Sequence, residues 1–131
     1  MESRLQEVIT DQAPQAIGHY AQAVRAGGFL FLSGQIAIEA KTGTLQLFDG
    51  DVVQQMALIL KNIEALLLSQ GLSKNSIVKI TIFMTDLSQF GKLNAVYSQF
   101  FGNHKPARST VEVSRLPKDV AIEIEAIACL S

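Results

Sequence analysis

The chain has no tryptophan, and aromatic residues make up 7% of it. Proteins that hold single-stranded nucleic acid stack bases on aromatic side chains, and this supply is thin. An excess of one charge is missing too: 11 basic residues stand against 12 acidic ones, for a net charge of -1. With no basic block either, the sequence argues against nucleic acid as a partner. Cysteine is nearly absent. Cys129 stands alone, so no internal disulfide forms and nothing suggests a stapled, secreted domain. His19 and His104, scattered, with that one thiol, make no metal site. A Cys129–His hydrolase is conceivable, but no Cys-His motif supports it. The apolar runs are too short to suggest a bilayer span. The first residues, MESRLQEVITD, hold no apolar signal core. The expectation is a soluble cytoplasmic protein with no cofactor, no metal and no membrane contact.

At 131 residues and 48% hydrophobic, the chain is the size of one domain, spanning 1–131, with enough apolar material for a core. Leu5, Val8 and Ile9 suggest a short edge strand, and a loop follows from Ala13 to Tyr20, marked by Pro14 and Gly18. Ala21–Ala26 and Phe29–Ser33 read as a hairpin about Gly27–Gly28. Gly34 lets backbone approach a neighbour closely. Turns follow at Lys41–Gly43 and Phe48–Gly50. Then Val53, Met56, Leu60, Ile63 and Leu67 recur at helical steps, with Gln54, Gln55, Lys61, Asn62 and Glu64 mostly off that stripe. Asp49 or Asp51 would cap this helix, and Gly71 would end it. Ile77–Met84 reads as an interior strand with Val78, Ile80, Ile82 and Met84 on one face. Asp86 and Gln89 have the form of a capping box before a second helix. That helix carries Phe90, Leu93, Tyr97 and Phe100 on its stripe and ends at Gly102.

The segment Pro106–Pro117, PARSTVEVSRLP, alternates. Arg108, Thr110, Glu112 and Ser114 share one face of a strand. Ala107, Ser109, Val111 and Val113 share the other, small and apolar, which should meet the core. Arg grips planar carboxylates with two parallel hydrogen bonds. The plainer reading is a surface Arg108 paired with Glu112 or solvent. After a turn at Leu116–Asp119, Val120–Leu130 alternates again, with Glu123 and Glu125 beside Ile127 and Cys129. The order is α+β, with helices on one face of a mostly antiparallel sheet. The other face would carry Arg108, Thr110, Glu123 and Glu125. Nothing is left in the chain to cover it, so another subunit should.

IGHY at 17–20, LSGQI at 32–36, PARSTVEVSRLP at 106–117 and IEIEAIA at 122–128 together resemble the RidA/YjgF family of enamine/imine deaminases. The likeness covers Ala13 to Leu130. It implies a chorismate-mutase-like domain in a barrel-like homotrimer, with three clefts between subunits. It also implies hydrolysis of short-lived 2-imino and 2-enamino acids to 2-oxo acids and ammonia. By the same likeness Arg108 binds the substrate carboxylate and Glu123 serves the attacking water. Tyr20, Ser33, Gly34, Asn94 and the backbone at Thr110 would line the cleft. Three positions depart from the family's pattern. His19 stands where Pro is frequent, and Thr110 replaces a frequent Cys, which excludes a thiol nucleophile there. The segment Phe101–Pro106 is short, with Lys105 where Phe often stands, which bears on substrate size. Two further readings stay open: a trimer that only binds or regulates through a small ligand, and an RNA-acting translation inhibitor or ribonuclease. Two Glu on a strand are otherwise a solvated face.

Overall fold

The computed structural model describes residues 5–131. Strands β1 (Leu5–Val8), β2 (Ala23–Ala26) and β3 (Phe29–Gln35) open the chain. A hairpin missed from sequence follows, β4 (Ile38–Glu39) with β5 (Thr44–Leu45). Helix α1 (Val52–Ser69), strand β6 (Ile77–Met84) and helix α2 (Asn94–Phe101) lead to β7 (Ala107–Glu112) and β8 (Ile122–Cys129). The main sheet runs β1-β2-β3-β8-β6-β7. All its pairs are antiparallel except β6–β7, which is parallel. Parallel neighbours need a crossover, and the segment containing α2 supplies it. The fold is the expected α+β domain.

The core lies between the sheet and the helices. Asp51 caps α1 by accepting from the N–H groups of Val53 at 2.9 Å and Gln54 at 3.3 Å. At the other end Gly71 takes φ 74°, and the N–H of Leu72 donates to the carbonyl of Leu67 at 2.9 Å. Met56, Ile59, Leu60, Ile63, Leu66 and Leu67 are buried against Leu30, Ile80, Ile82 and Ile124. Each such side chain contributes about 1.5–3 kcal/mol by leaving water. The buried face is wider than the sequence stripe and takes in Gln55 and Asn62. Buried amides need partners. The Asn62 amide donates to the Ile38 carbonyl at 2.7 Å, which ties the β4–β5 hairpin to α1. Gln55 donates to the Leu47 carbonyl at 2.9 Å and accepts from the Ala121 N–H at 3.0 Å, holding the entry to β8. By length and composition α1 does qualify as a bilayer span, contrary to the run-length reading, but half of it is buried within the fold, as befits a core helix.

Further differences concern strand phase and the second helix. A bulge between Ile77 and Lys79 turns Val78 outward, while Ile77, Ile80, Ile82 and Met84 are buried. Before α2 the backbone winds as a tighter 3-10 segment over Leu87–Leu93. Asp86 caps it through the N–H of Ser88 at 3.0 Å rather than through a Gln89 box. On β7 the phase is opposite to the expected one. Ile80 pairs with Arg108 and Ile82 with Thr110, so Arg108 and Thr110 lie on the helix side. Ala107, Ser109 and Val111 lie on the open side, where Val111 is 40% exposed. Phe29 and Phe31 are exposed there too, beside Ile127 and Cys129.

Candidate active site

Glu123 is positioned by a defect in the sheet. Leu32 pairs with Ala126, but Gln35 pairs with Ile124, so β3 carries one extra residue at Ser33–Gly34. The bulge brings Gly34 against Glu123. A Cβ on Gly34 would collide with the carboxylate oxygen Oε2, and would lie 3.0 Å from Cδ. The Ser33 hydroxyl donates to the Ala21 carbonyl at 2.6 Å, and its N–H to the Gln22 carbonyl at 3.1 Å. Burial pushes the Glu123 carboxyl above the usual carboxylate range, and the charge of Glu125 adds to this.

Tyr20 joins them through a pinned loop. The buried Gln22 amide donates to the carbonyls of Thr10 at 3.0 Å and Pro14 at 2.9 Å, and its Oε1 accepts from the Thr10 N–H at 2.8 Å. The Tyr20 hydroxyl accepts from the Ile17 N–H at 3.1 Å. Ile17, Tyr20, Ser33, Gly34, Ile36, Pro117 and Glu123 thus line a cleft of about 460 Å³. Gln22 and Pro117 escaped the sequence reading. The signal for Gln22 was a lone amide between two alanines at the start of a strand.

Arg108 stands elsewhere. Its guanidinium carbon lies 4.9 Å from the ring centre of Phe90 and 4.9 Å from that of Tyr97. A second cleft of about 520 Å³ opens beside it, with Asn94, Tyr97, His104, Lys105 and Pro106 in its wall. No carboxylate lines it. His104 is half-buried rather than a surface residue. Its Nε2 meets the Ile77 carbonyl at 2.7 Å, so that nitrogen carries the proton and pins the link into β7. Burial raises the Tyr97 phenol pKa, and the Arg108 charge opposes this. The Thr110 hydroxyl is buried without a partner, and the Tyr97 hydroxyl is buried with the Arg108 guanidinium as its polar neighbour.

The expected site residues therefore fall in two groups. Tyr20, Ser33, Gly34 and Glu123 come together, and Asn94 and Arg108 come together. Glu123 pairs with Phe83 on the open side of the sheet, and Arg108 with Ile80 on the helix side. The expectation that Arg108 and Thr110 share a face with Glu123 and Glu125 is overturned by the pleat of β6. Among the described residues no three His, Cys, Asp or Glu side chains gather as metal ligands.

Known proteins share this layout. The family described as Endoribonuclease L-PSP matches residues 10–130. A RutC family protein of Pyrococcus horikoshii is 52% identical, over 95% of this chain and 98% of its own length. The 2-iminobutanoate/2-iminopropanoate deaminase of Escherichia coli is 48% identical, over 92% of this chain and 94% of its own. The crystal structure of E. coli TdcF with bound serine superposes with a TM-score of 0.87 at 46% identity, covering 96% of this chain and 99% of that one. Sequence likeness and shared architecture run from the Tyr20 loop to the end of β8, and the chain belongs to the RidA/YjgF (RutC) family.

Proposed function

We propose that this protein hydrolyses 2-imino and 2-enamino acids to 2-oxo acids and ammonia, in clefts that two copies of the chain complete together as a homotrimer. The observation that carries this reading is the separation of Arg108 from Glu123 by the sheet within one chain. Each stands in a half-furnished cleft. The open sheet face offers Phe29, Phe31 and Val111 to a neighbour. A second copy on that face supplies the missing half, as expected of a surface that is apolar and uncovered. The deaminase named among the relatives and the amino acid bound by TdcF support a small substrate with a carboxylate.

The iminium carbon is already electrophilic, so the protein supplies placement and proton transfer. Arg108 of one copy holds the carboxylate in its planar fork. Glu123 of the next takes a proton from water as the water oxygen bonds to carbon and the C=N electron pair moves to nitrogen. The same carboxyl returns a proton to the amine nitrogen. The C–N bond then breaks and ammonia leaves, while the hydroxyl gives its proton to the same carboxylate and its oxygen becomes the carbonyl of the 2-oxo acid. A carboxyl held above its ordinary pKa suits both halves of this exchange.

The test generates 2-imino acids in situ with an amino-acid oxidase and follows loss of imine and release of ammonia. Acceleration by purified protein over buffer is expected. Tight binding of the 2-oxo acid with no acceleration would leave a ligand-binding trimer instead. Cleavage of RNA with no effect on imines would return the reading to a ribonuclease, which the net charge of -1 and the thin aromatic content speak against.

A further inference from the structure

We infer that Phe90 and Tyr97 are positioning residues, two rings that hold the Arg108 guanidinium by cation–π contact and so place it in advance for the substrate carboxylate; this rests on the carboxylate grip proposed above. Each ring centre lies 4.9 Å from the guanidinium carbon, well within the range in which a cation is drawn to an aromatic face. Phe90 lies in the 3-10 turn and Tyr97 in α2, which follows it directly, and the two share one stripe. The guanidinium they meet comes from β7, so the contact itself is tertiary. The Tyr97 ring is itself braced. Phe101, 3% exposed, packs tilted against it with ring centres 4.8 Å apart, and Phe100 meets Phe101 edge-on at 4.9 Å.

The consequence for Arg108 is twofold. A free Arg side chain has several rotatable bonds, and ordering it at the moment of binding costs affinity. Contact with two rings removes part of that freedom beforehand. Arg108 itself stays exposed, so its in-plane N–H groups remain open to a ligand. A planar carboxylate approaching in that plane makes two parallel hydrogen bonds. Among the described residues no carboxylate lies within ion-pair distance of Arg108, so no internal acid competes.

The Tyr97 hydroxyl separates a ring role from a polar one. It is buried, makes no well-formed hydrogen bond, and has the Arg108 guanidinium as its polar neighbour. Tyr97→Phe keeps the ring and removes only this hydroxyl, so it tells the two roles apart.

The experiment compares wild type with Tyr97→Phe, Tyr97→Leu and Phe90→Leu. Steady-state kinetics are read on a 2-imino acid and on its methyl ester, and 2-oxobutanoate binding is read by calorimetry. Tyr97→Phe, which keeps the ring, should lose clearly less than Tyr97→Leu. Loss of either ring should raise KM and the 2-oxobutanoate Kd by about five- to tenfold, the scale of one cation–π contact, with kcat changed far less. The ester, which lacks the carboxylate, should be slow in every variant and insensitive to both Leu changes. Equal losses on acid and ester would mean general damage to the fold and overturn the clamp. Wild-type KM and Kd in both Leu variants would overturn it too. A Tyr97→Phe loss matching Tyr97→Leu would assign the effect to the hydroxyl and overturn the ring role. Should Tyr97→Leu fail to fold, Phe90→Leu and Tyr97→Phe decide alone. If wild type hydrolyses no imine yet binds 2-oxobutanoate, the deaminase reading fails while the calorimetry still judges the clamp. If it binds no carboxylate, both fail.

Discussion

Replacing Gly34 by Ala tests the placement of Glu123 without touching Glu123. Gly34 lies outside the left-handed region, so Ala meets no backbone penalty there. The difficulty is steric. The new methyl would overlap the Glu123 carboxylate oxygen and crowd Cδ at 3.0 Å and Cγ at 3.3 Å. The yielding partner is the end of a flexible side chain, so Glu123 is twisted about 30° off its rotamer at a cost of about 0.5–1.5 kcal/mol. In a domain of this size that lowers the melting temperature by about 2–8 °C. The carboxylate must move by about an ångström or more, and a misplacement of that order costs about a hundredfold in rate. Gly34→Ala should therefore stay folded, keep the wild-type oligomeric state and lose about a hundredfold in kcat for imine hydrolysis. Added to Glu123→Gln it should cost nothing further, because neighbouring groups that act together are not additive. Wild-type kcat in folded Gly34→Ala, or a further large loss on top of Glu123→Gln, would refute the reasoning.

Other expectations can be checked with the same assay. Hydrolysis by wild type should fall on acidification with a midpoint above the ordinary carboxylate value, because burial and then Glu125 raise the Glu123 pKa; Glu125→Gln should move that limb to lower pH, and an unmoved limb would remove Glu125 from the effect. A raised pKa in the folded state means that ionised Glu123 costs stability at neutral pH, and that this cost shrinks as pH falls below the raised value and is gone below the ordinary carboxylate value. Glu123→Gln should accordingly abolish most turnover while melting at pH 7 no lower than wild type, with the two curves converging in acid. Arg108→Lys should weaken kcat/KM by about ten- to a hundredfold, since one charge-assisted hydrogen bond of two is worth about 1.5–3 kcal/mol; wild-type kinetics would end the carboxylate grip. Lys105→Glu places an acid in a cleft wall that has none; at about 10 Å, from three extended residues, two charge units in water are worth about 0.8 kcal/mol, or fourfold in KM, shrinking as salt rises, and a salt-independent change would point to shape instead. Sedimentation should give a trimer at micromolar concentration, and a monomer would leave each cleft unfinished.

The legible parts of the sequence were those where burial is one-sided. Along β8, Ile122, Ile124, Ala126 and Ala128 all point to the core, and the alternation gave both strand and phase. Gly71 and the choice of Asp49 or Asp51, which the structure resolves as Asp51, bounded α1 because a left-handed cap and a carboxylate acceptor are local requirements. β7 gave its strand but not its phase. It is an edge strand, mostly exposed along its length, so its small apolar face had no core to claim it, and β6 decided which way Arg108 points. Gln55 and Asn62 read as exterior by polarity, yet the Leu47 carbonyl before the helix and the Ile38 carbonyl of β4 supply their partners. Tyr97 read as core from its helical spacing; its contact with Arg108 depends on the crossover from β6 to β7, which no local pattern records. The grouping of Tyr20, Ser33, Gly34 and Glu123 rests on a one-residue bulge in β3, announced in the sequence by Gly34 alone.

The placement of Arg108 and Glu123 on opposite sides of one sheet has a genetic consequence. On the proposed arrangement, Arg108→Ala and Glu123→Gln chains are each inert alone, but unfolded and refolded together they should exchange subunits and recover activity. Wherever an Arg108→Ala chain lends its intact Glu123 to the intact Arg108 of a neighbour, one whole cleft reappears. Two loss-of-function alleles would then complement each other within a single oligomer, and a freshly translated chain would remain silent until it met its partners.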